Sequence, residues 1–152
     1  MRLTPGTGKG GRDRGSMAVE FVIAAPALVL LLLLVSAGGQ WLNLTGDVSA
    51  AARDAVRSAS LARTFDVAQQ DAQAQAQADL NGVCGGGGPT ASLELIQGGA
   101  PVGPGAFGTA QVVRVTVSCV ASLGVFRTIG FPVSQTFTGT AAAPLDPFED
   151  RG

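Results

Sequence analysis

From Phe21 to Ala37 the chain runs for 17 residues with a single polar side chain, Ser36. As a helix rising about 1.5 Å per residue, this run crosses most of a bilayer core, and nearly all of one once flanking residues join it. It predicts a membrane helix over 16–44. Pro26 lies inside that helix, where it removes one backbone hydrogen bond and favours a bend. Gly38 and Gly39 weaken the outer end, and Trp41 falls where indoles favour the membrane interface.

Charge is divided around this run. Residues 1–15 carry Arg2, Lys9, Arg12 and Arg14 against Asp13, whereas residues 16–152 carry six arginines and ten carboxylates. Basic before and acidic after fits the positive-inside rule, with residues 1–15 cytoplasmic and the bulk extracytoplasmic. The acidic bulk argues against a nucleic-acid partner. Glu20 sits at the lip of the apolar run, where a carboxylate carried into lipid costs about 2.5–3.5 kcal/mol on insertion scales. Cleavage after Gly15 supplies a reason for it. The new amine of Ser16 lies four residues before Glu20 on the same helix face, and can neutralise the glutamate in cis or in a neighbouring subunit.

A basic leader, Gly15 before the cut, Glu20 at the fifth mature position and an apolar helix resemble the class III signal of the type IV pilin superfamily. Ser16 to Phe21, Ala24-Ala25-Pro26-Ala27-Leu28 and the leucines that follow resemble the N-terminus of TadE-like proteins of tight-adherence pili. Ala51-Ala52-Arg53-Asp54-Ala55-Val56-Arg57 resembles the AREGAR-type segment of that family, with Asp54 where glutamate is usual and Val56 where glycine is usual. The resemblance covers about residues 15–60. It implies a minor pilin or pseudopilin, cut by a prepilin peptidase between Gly15 and Ser16 and held in the cytoplasmic membrane. It also implies contacts with the lipid bilayer, other pilus or pseudopilus subunits and assembly platform proteins, with Glu20 serving assembly.

Beyond the membrane helix, Thr45-Gly46-Asp47 reads as a loosening, with Asp47 as N-cap of a second, amphipathic helix over 45–81. Val48, Ala52, Ala55, Ala59 and Ala62 recur at three- and four-residue steps, a small-residue stripe suited to close packing on a sheet or helix. Gln69 to Ala78 is low in complexity but strongly helix-forming. Asn81-Gly82 stops the helix, and Gly85 to Pro89 reads as a flexible loop. Three strands are expected in a sheet region over 82–140: Ser92–Gln97, Gln111–Ala121 and Phe131–Thr138. In the second, Val113, Val115, Val117 and Cys119 share a face. Gly98 to Gly108 joins the first two strands, and 141–152 reads as a loose tail. The expected fold is therefore α+β: a long N-terminal membrane helix continuing into an amphipathic helix packed on a small antiparallel sheet.

Cys84 and Cys119 lie on the extracytoplasmic side, where a disulfide is expected; two buried thiols are the alternative. With no histidine, no Ser/Lys pair and no paired carboxylates, the chain offers no catalytic constellation. The glycine run lacks the Lys-Ser/Thr and the strand–loop–helix setting of a phosphate cradle. Asp146, Glu149 and Asp150 form an acidic tail of the solvated kind, so neither metal nor cofactor is expected. Two other readings stay open at this point. Val35-Ser36-Ala37 offers a signal-peptidase site, which would make a secreted protein, and an uncleaved bitopic anchor would carry an extracytoplasmic binding domain.

Overall fold

The structure, a computed structural model, describes residues 13–122, 124, 130 and 134–145, with side chains from residue 19 onward. The stretch before Asp13, which opens the expected basic leader over 1–15, the start of the expected third strand at Phe131–Val133 and the acidic tail from Asp146 lie outside the described residues. The chain divides into two compact units, Met1–Ser36 and Ala37–Gly152.

The first unit is the opening stretch of helix α1 (Asp13–Ser60). Among the described residues one helix is long and apolar enough to cross a membrane, and this stretch holds its apolar core. Phe21, Ile23, Leu30 and Leu34 are all exposed, a surface unsuited to water. Pro26 is accommodated without ending the helix. Ser36 donates its hydroxyl to the Leu32 carbonyl at 2.8 Å, so the run's one polar side chain is satisfied by its own helix.

In the second unit α1 continues from Ala37 to Ser60 and is followed by α2 (Phe65–Asp79). The expected break at Thr45-Gly46-Asp47 is not there, and Asp47 caps nothing. Thr45 bonds back to the Trp41 carbonyl at 2.9 Å and Ser49 to the Thr45 carbonyl at 2.7 Å, inside an unbroken helix. Gly46 costs about 1 kcal/mol against alanine in a helix, and burial of Val48 and Ala51 just beyond it outweighs so small a local preference. The real break is at Leu61–Arg63. Here Ser58 and Ser60 turn their hydroxyls onto the Ala55 and Arg57 carbonyls, and Leu61 and Ala62 close three-residue turns. Thr64, in extended conformation, then caps α2 by accepting from the Val67 amide at 3.4 Å. Asn81-Gly82 ends the helical region as expected, Gly82 taking a left-handed φ of 78°.

Four strands make one antiparallel sheet in the order β2-β1-β3-β4: β1 (Thr90–Gln97), β2 (Ala100–Val102), β3 (Val112–Ser122) and β4 (Ser134–Pro144). The segment from Gly98 to Gly108, expected as a loop, contains β2 and a 3-10 turn at Pro104–Ala106. Register places Leu93 opposite Val115 and Val115 opposite Ala141, and Ala91 opposite Val117 and Val117 opposite Gly139. One face thus carries Val113, Val115, Val117 and Cys119 with Leu95, Phe137 and Gly139, as the period-two pattern of β3 demanded. The other face carries rows of hydroxyls, Ser92-Thr116-Thr140 and Thr90-Ser118-Thr138. The region after 140, expected to be loose, stays in β4 through Pro144. Leu145 is buried, its amide bonded to the Gln111 carbonyl at 2.9 Å.

The core is made largely of small side chains. Val48, Ala52, Ala55, Ala59 and Ala62, the stripe read from sequence, are all buried, joined by Ala68, Ala72 and Ala76 of α2. Gly139 shows how close the layers come: a Cβ built there would lie 2.5 Å from the Val48 carbonyl oxygen. Trp41 meets Phe137 edge-on with centroids 4.9 Å apart, so this indole has a protein partner. Among the described residues the upper part of β1 has no neighbouring strand on one side, and α2 supplies a substitute. Gln73 donates to the Pro89 carbonyl at 2.8 Å and accepts from the Ala91 amide at 2.7 Å. Gln69 donates to the Ala91 carbonyl at 2.7 Å and accepts from the Leu93 amide at 3.0 Å.

Candidate functional site

Gly15, Ser16 and Glu20 all lie within α1. Four helical residues make slightly more than one turn, so position 16 and Glu20 fall on one face, about 6 Å apart along the axis. The Glu20 side chain is exposed and forms no ion pair among the described residues; the one ion pair there joins Arg114 to Glu94 at 3.3 Å, on the sheet. Among the described residues the carboxylate thus has no ion-pair partner, and it stands beside apolar residues. The backbone of Gly15 and Ser16 is helical, while their side-chain surroundings lie outside the described residues.

Further along α1, Ala51, Ala52, Ala55 and Val56 turn into the core. Arg53, Asp54 and Arg57 are exposed and enter no ion pair among the described residues. Arg57 lies in the last turn, where a cation complements the helix dipole. The segment that resembles the AREGAR type is therefore half core and half surface.

Residues 15–57 match the family model described as TadE-like protein. The N-terminal segment is TadE-like. No curated protein and no solved structure matches the chain. The TadE-like match takes in Gly15, Ser16, Glu20, the whole apolar run and the Ala51–Arg57 segment, and it stops where α1 is about to end. Together, the TadE-like segment and the N-terminal apolar helix fit a Tad pilus-associated protein with a single-pass membrane anchor.

In the second unit Cys84 and Cys119 are joined in a disulfide, with Cα atoms 5.4 Å apart. Cys119 is buried at the apolar face of β3, and Cys84 follows the stop of α2. The bridge ties the end of α2 to the sheet, and beside it the Gly85 amide donates to the Val120 carbonyl at 2.7 Å. Gly86 and Gly88 take left-handed φ values of 65° and 75° in the loop between them and β1. Among the described residues, the shallow depression lined by Gly85 to Gly88, Thr90, Val120 and Ser134 carries no charged side chain. This glycine loop leads into a strand, not a helix N-terminus, so it has no dipole to hold a phosphate. No group of three or more potential metal ligands occurs among the described residues. Asp146, Glu149 and Asp150 lie outside them.

The structural role of Gln69 and Gln73 escaped the sequence reading, which took Gln69 to Ala78 as a helix former. Their four-residue spacing was visible as one helix face. Nothing local identified the strand whose amides they satisfy.

Proposed function

We propose that this chain is a TadE-like minor pilin or pseudopilin. It is cut by a prepilin peptidase between Gly15 and Ser16, anchored by α1 with its second unit extracytoplasmic, and structural in its role. The observation that carries the reading is the TadE-like match over residues 15–57, laid on one helix whose apolar side chains stand exposed. Glycine at 15 suits a peptidase on two counts. It presents no side chain before the scissile bond, and it is a poor helix former, so the helix opens there at low cost. Cleavage places a free amine one turn before Glu20. That amine, in cis or from a neighbouring subunit, compensates a carboxylate that has no partner within the described chain. Partners of the second unit are other subunits and assembly proteins, and the absence of histidine fits a non-catalytic part.

The test is the mature N-terminus. Intact mass and N-terminal sequencing of membrane-bound protein should give a chain starting at Ser16. Gly15→Leu should leave the uncut precursor in the membrane fraction. A mature chain starting at Gly38 overturns the reading in favour of an ordinary secreted protein.

A further inference from the structure

The two sides of the sheet are finished differently. Along β1, Gln69 and Gln73 take up the outward amide and carbonyl of Ala91, the amide of Leu93 and the carbonyl of Pro89, while β2 covers Leu95 to Gln97. These bonds also fix the hydrogen-bonding phase of the whole sheet. Since Ala91 points its amide and carbonyl away from β3, Thr90 and Ser92 exchange bonds with Ser118 and Thr116. Alternation then aims Val115, Val117 and Cys119 at β4, where they meet Ala141, Gly139 and Phe137. Thr136, Thr138, Thr140 and Ala142 are left with their amides and carbonyls directed away from β3.

No described residue takes those groups up: β4 is the last strand, and no turn or loop bond reaches them. The usual protections of such an edge are charge, bulges and proline. From Ser134 to Leu145 there is no charge, pairing with β3 is continuous over 11 positions, and the only proline, Pro144, stands at the far end. One edge is closed by four side-chain hydrogen bonds, and the other is a ready template for a strand.

We propose that the outer edge of β4 takes an extended, uncharged segment of a partner protein as a fifth strand. The edge states the chemistry of its occupant. Alternate residues would lie beside Thr136, Thr138 and Thr140 on the hydroxyl face, and the intervening ones beside Phe137, Gly139 and Ala141 on the apolar face. A segment alternating apolar with hydroxyl-bearing or β-branched residues fits both. A second copy is the poorer occupant. α1 passes from Trp41 beside Phe137 to Val48 beside Gly139, so it advances along β4 in the strand's own direction. Pairing two β4 strands about a two-fold axis would run the two copies' Trp41–Val48 stretches, which lie beside β4, in opposite directions. The inference does not depend on peptidase cleavage.

Residue-resolved hydrogen exchange on the full chain tests it, comparing purified protein in micelles with protein in membranes from the producing cells. The amides of Thr136, Thr138, Thr140 and Ala142 should exchange rapidly in micelles and at least about tenfold more slowly in membranes, the factor given by about 1.4 kcal/mol of pairing. Thr138→Pro removes only an outward amide, so the β3 ladder and the disulfide should persist while membrane protection at the neighbouring outward amides is lost. If Thr138→Pro does not accumulate, Thr136→Pro is read in its place. Equal exchange in the two preparations overturns the proposal, as does protection already complete in micelles. A photo-crosslinker at position 138 that joins two copies of this chain assigns the edge to self-association and overturns it too.

Discussion

Two stretches of the same helix meet their surroundings in opposite ways. In residues 19–35 of α1 the large side chains stand out, Phe21 at 76% and Leu30 at 67% exposed. In 48–59 of α1 the buried side chains are mostly alanines, with Ala52, Ala55 and Ala59 at 0%. Helical backbone is common to both, so the difference lies in the solvent each stretch is built for. Long apolar side chains spread area against lipid. Small ones let the helix backbone approach the sheet until Val48 touches Gly139. Two properties separate the stretches: Arg53, Asp54 and Arg57 interrupt the second but only Glu20 the first, and the buried side chains of the second are mostly small.

The sharpest way to break the contrast is to release the second unit while leaving the first intact. Reducing or removing the Cys84–Cys119 bond frees a loop spanning 35 residues, for which chain entropy gives about 3–4 kcal/mol. A domain cored by alanine holds little surplus, since whole domains are stable by only about 5–15 kcal/mol. Cys119→Ser should therefore lower the protein's level in cells and shift its denaturation midpoint strongly, as read by circular dichroism in micelles. Alkylation of the native protein without reductant should label neither cysteine.

Next in size is the close approach itself. Gly139→Ala places a methyl group against the Val48 carbonyl, a backbone atom that cannot swing aside. Overpacking of this kind costs about 1–3 kcal/mol. The same denaturation measurement should show it, whereas Gly38→Ala, where nothing lies within reach of a Cβ, should not destabilise.

Thr64→Ala tests the corner between the helices. Loss of the cap on α2 should cost about 1 kcal/mol, and Thr64→Ser should retain most of it. Smallest of all is Leu30→Ala, whose side chain touches lipid rather than core on the proposed reading. It should leave the denaturation midpoint of the second unit unchanged. A clear shift would show that the apolar stretch packs on protein. Glu20→Ala should likewise leave stability alone and still insert, yet reduce pilus assembly, as scored by immunoblot of sheared surface fibres. Normal pili from that variant would remove Glu20 from assembly.

The sequence by itself determined the features carried by a run or a period. The apolar stretch, the stripe from Val48 to Ala62, the alternating face of β3, the Asn81-Gly82 stop and the TadE-like N-terminus were all legible. Each depends on residues near one another in the chain. Tertiary structure decided where local preferences were weak or the partner was distant. Gly46 and Asp47 suggested a break worth about 1 kcal/mol, and burial of Val48, Ala51, Ala52 and Ala55 just beyond them overrode it. The actual corner at Leu61–Thr64 needed two serines turned onto their own helix and a threonine cap, a pattern as faint in sequence as the false one. The proline-bearing end of β4 looked loose until its register with Val112 and Val113 held it. Gln69 and Gln73 acquired their role only when folding brought an unpaired strand edge within reach, because a helix period records which residues share a face and not what that face will meet.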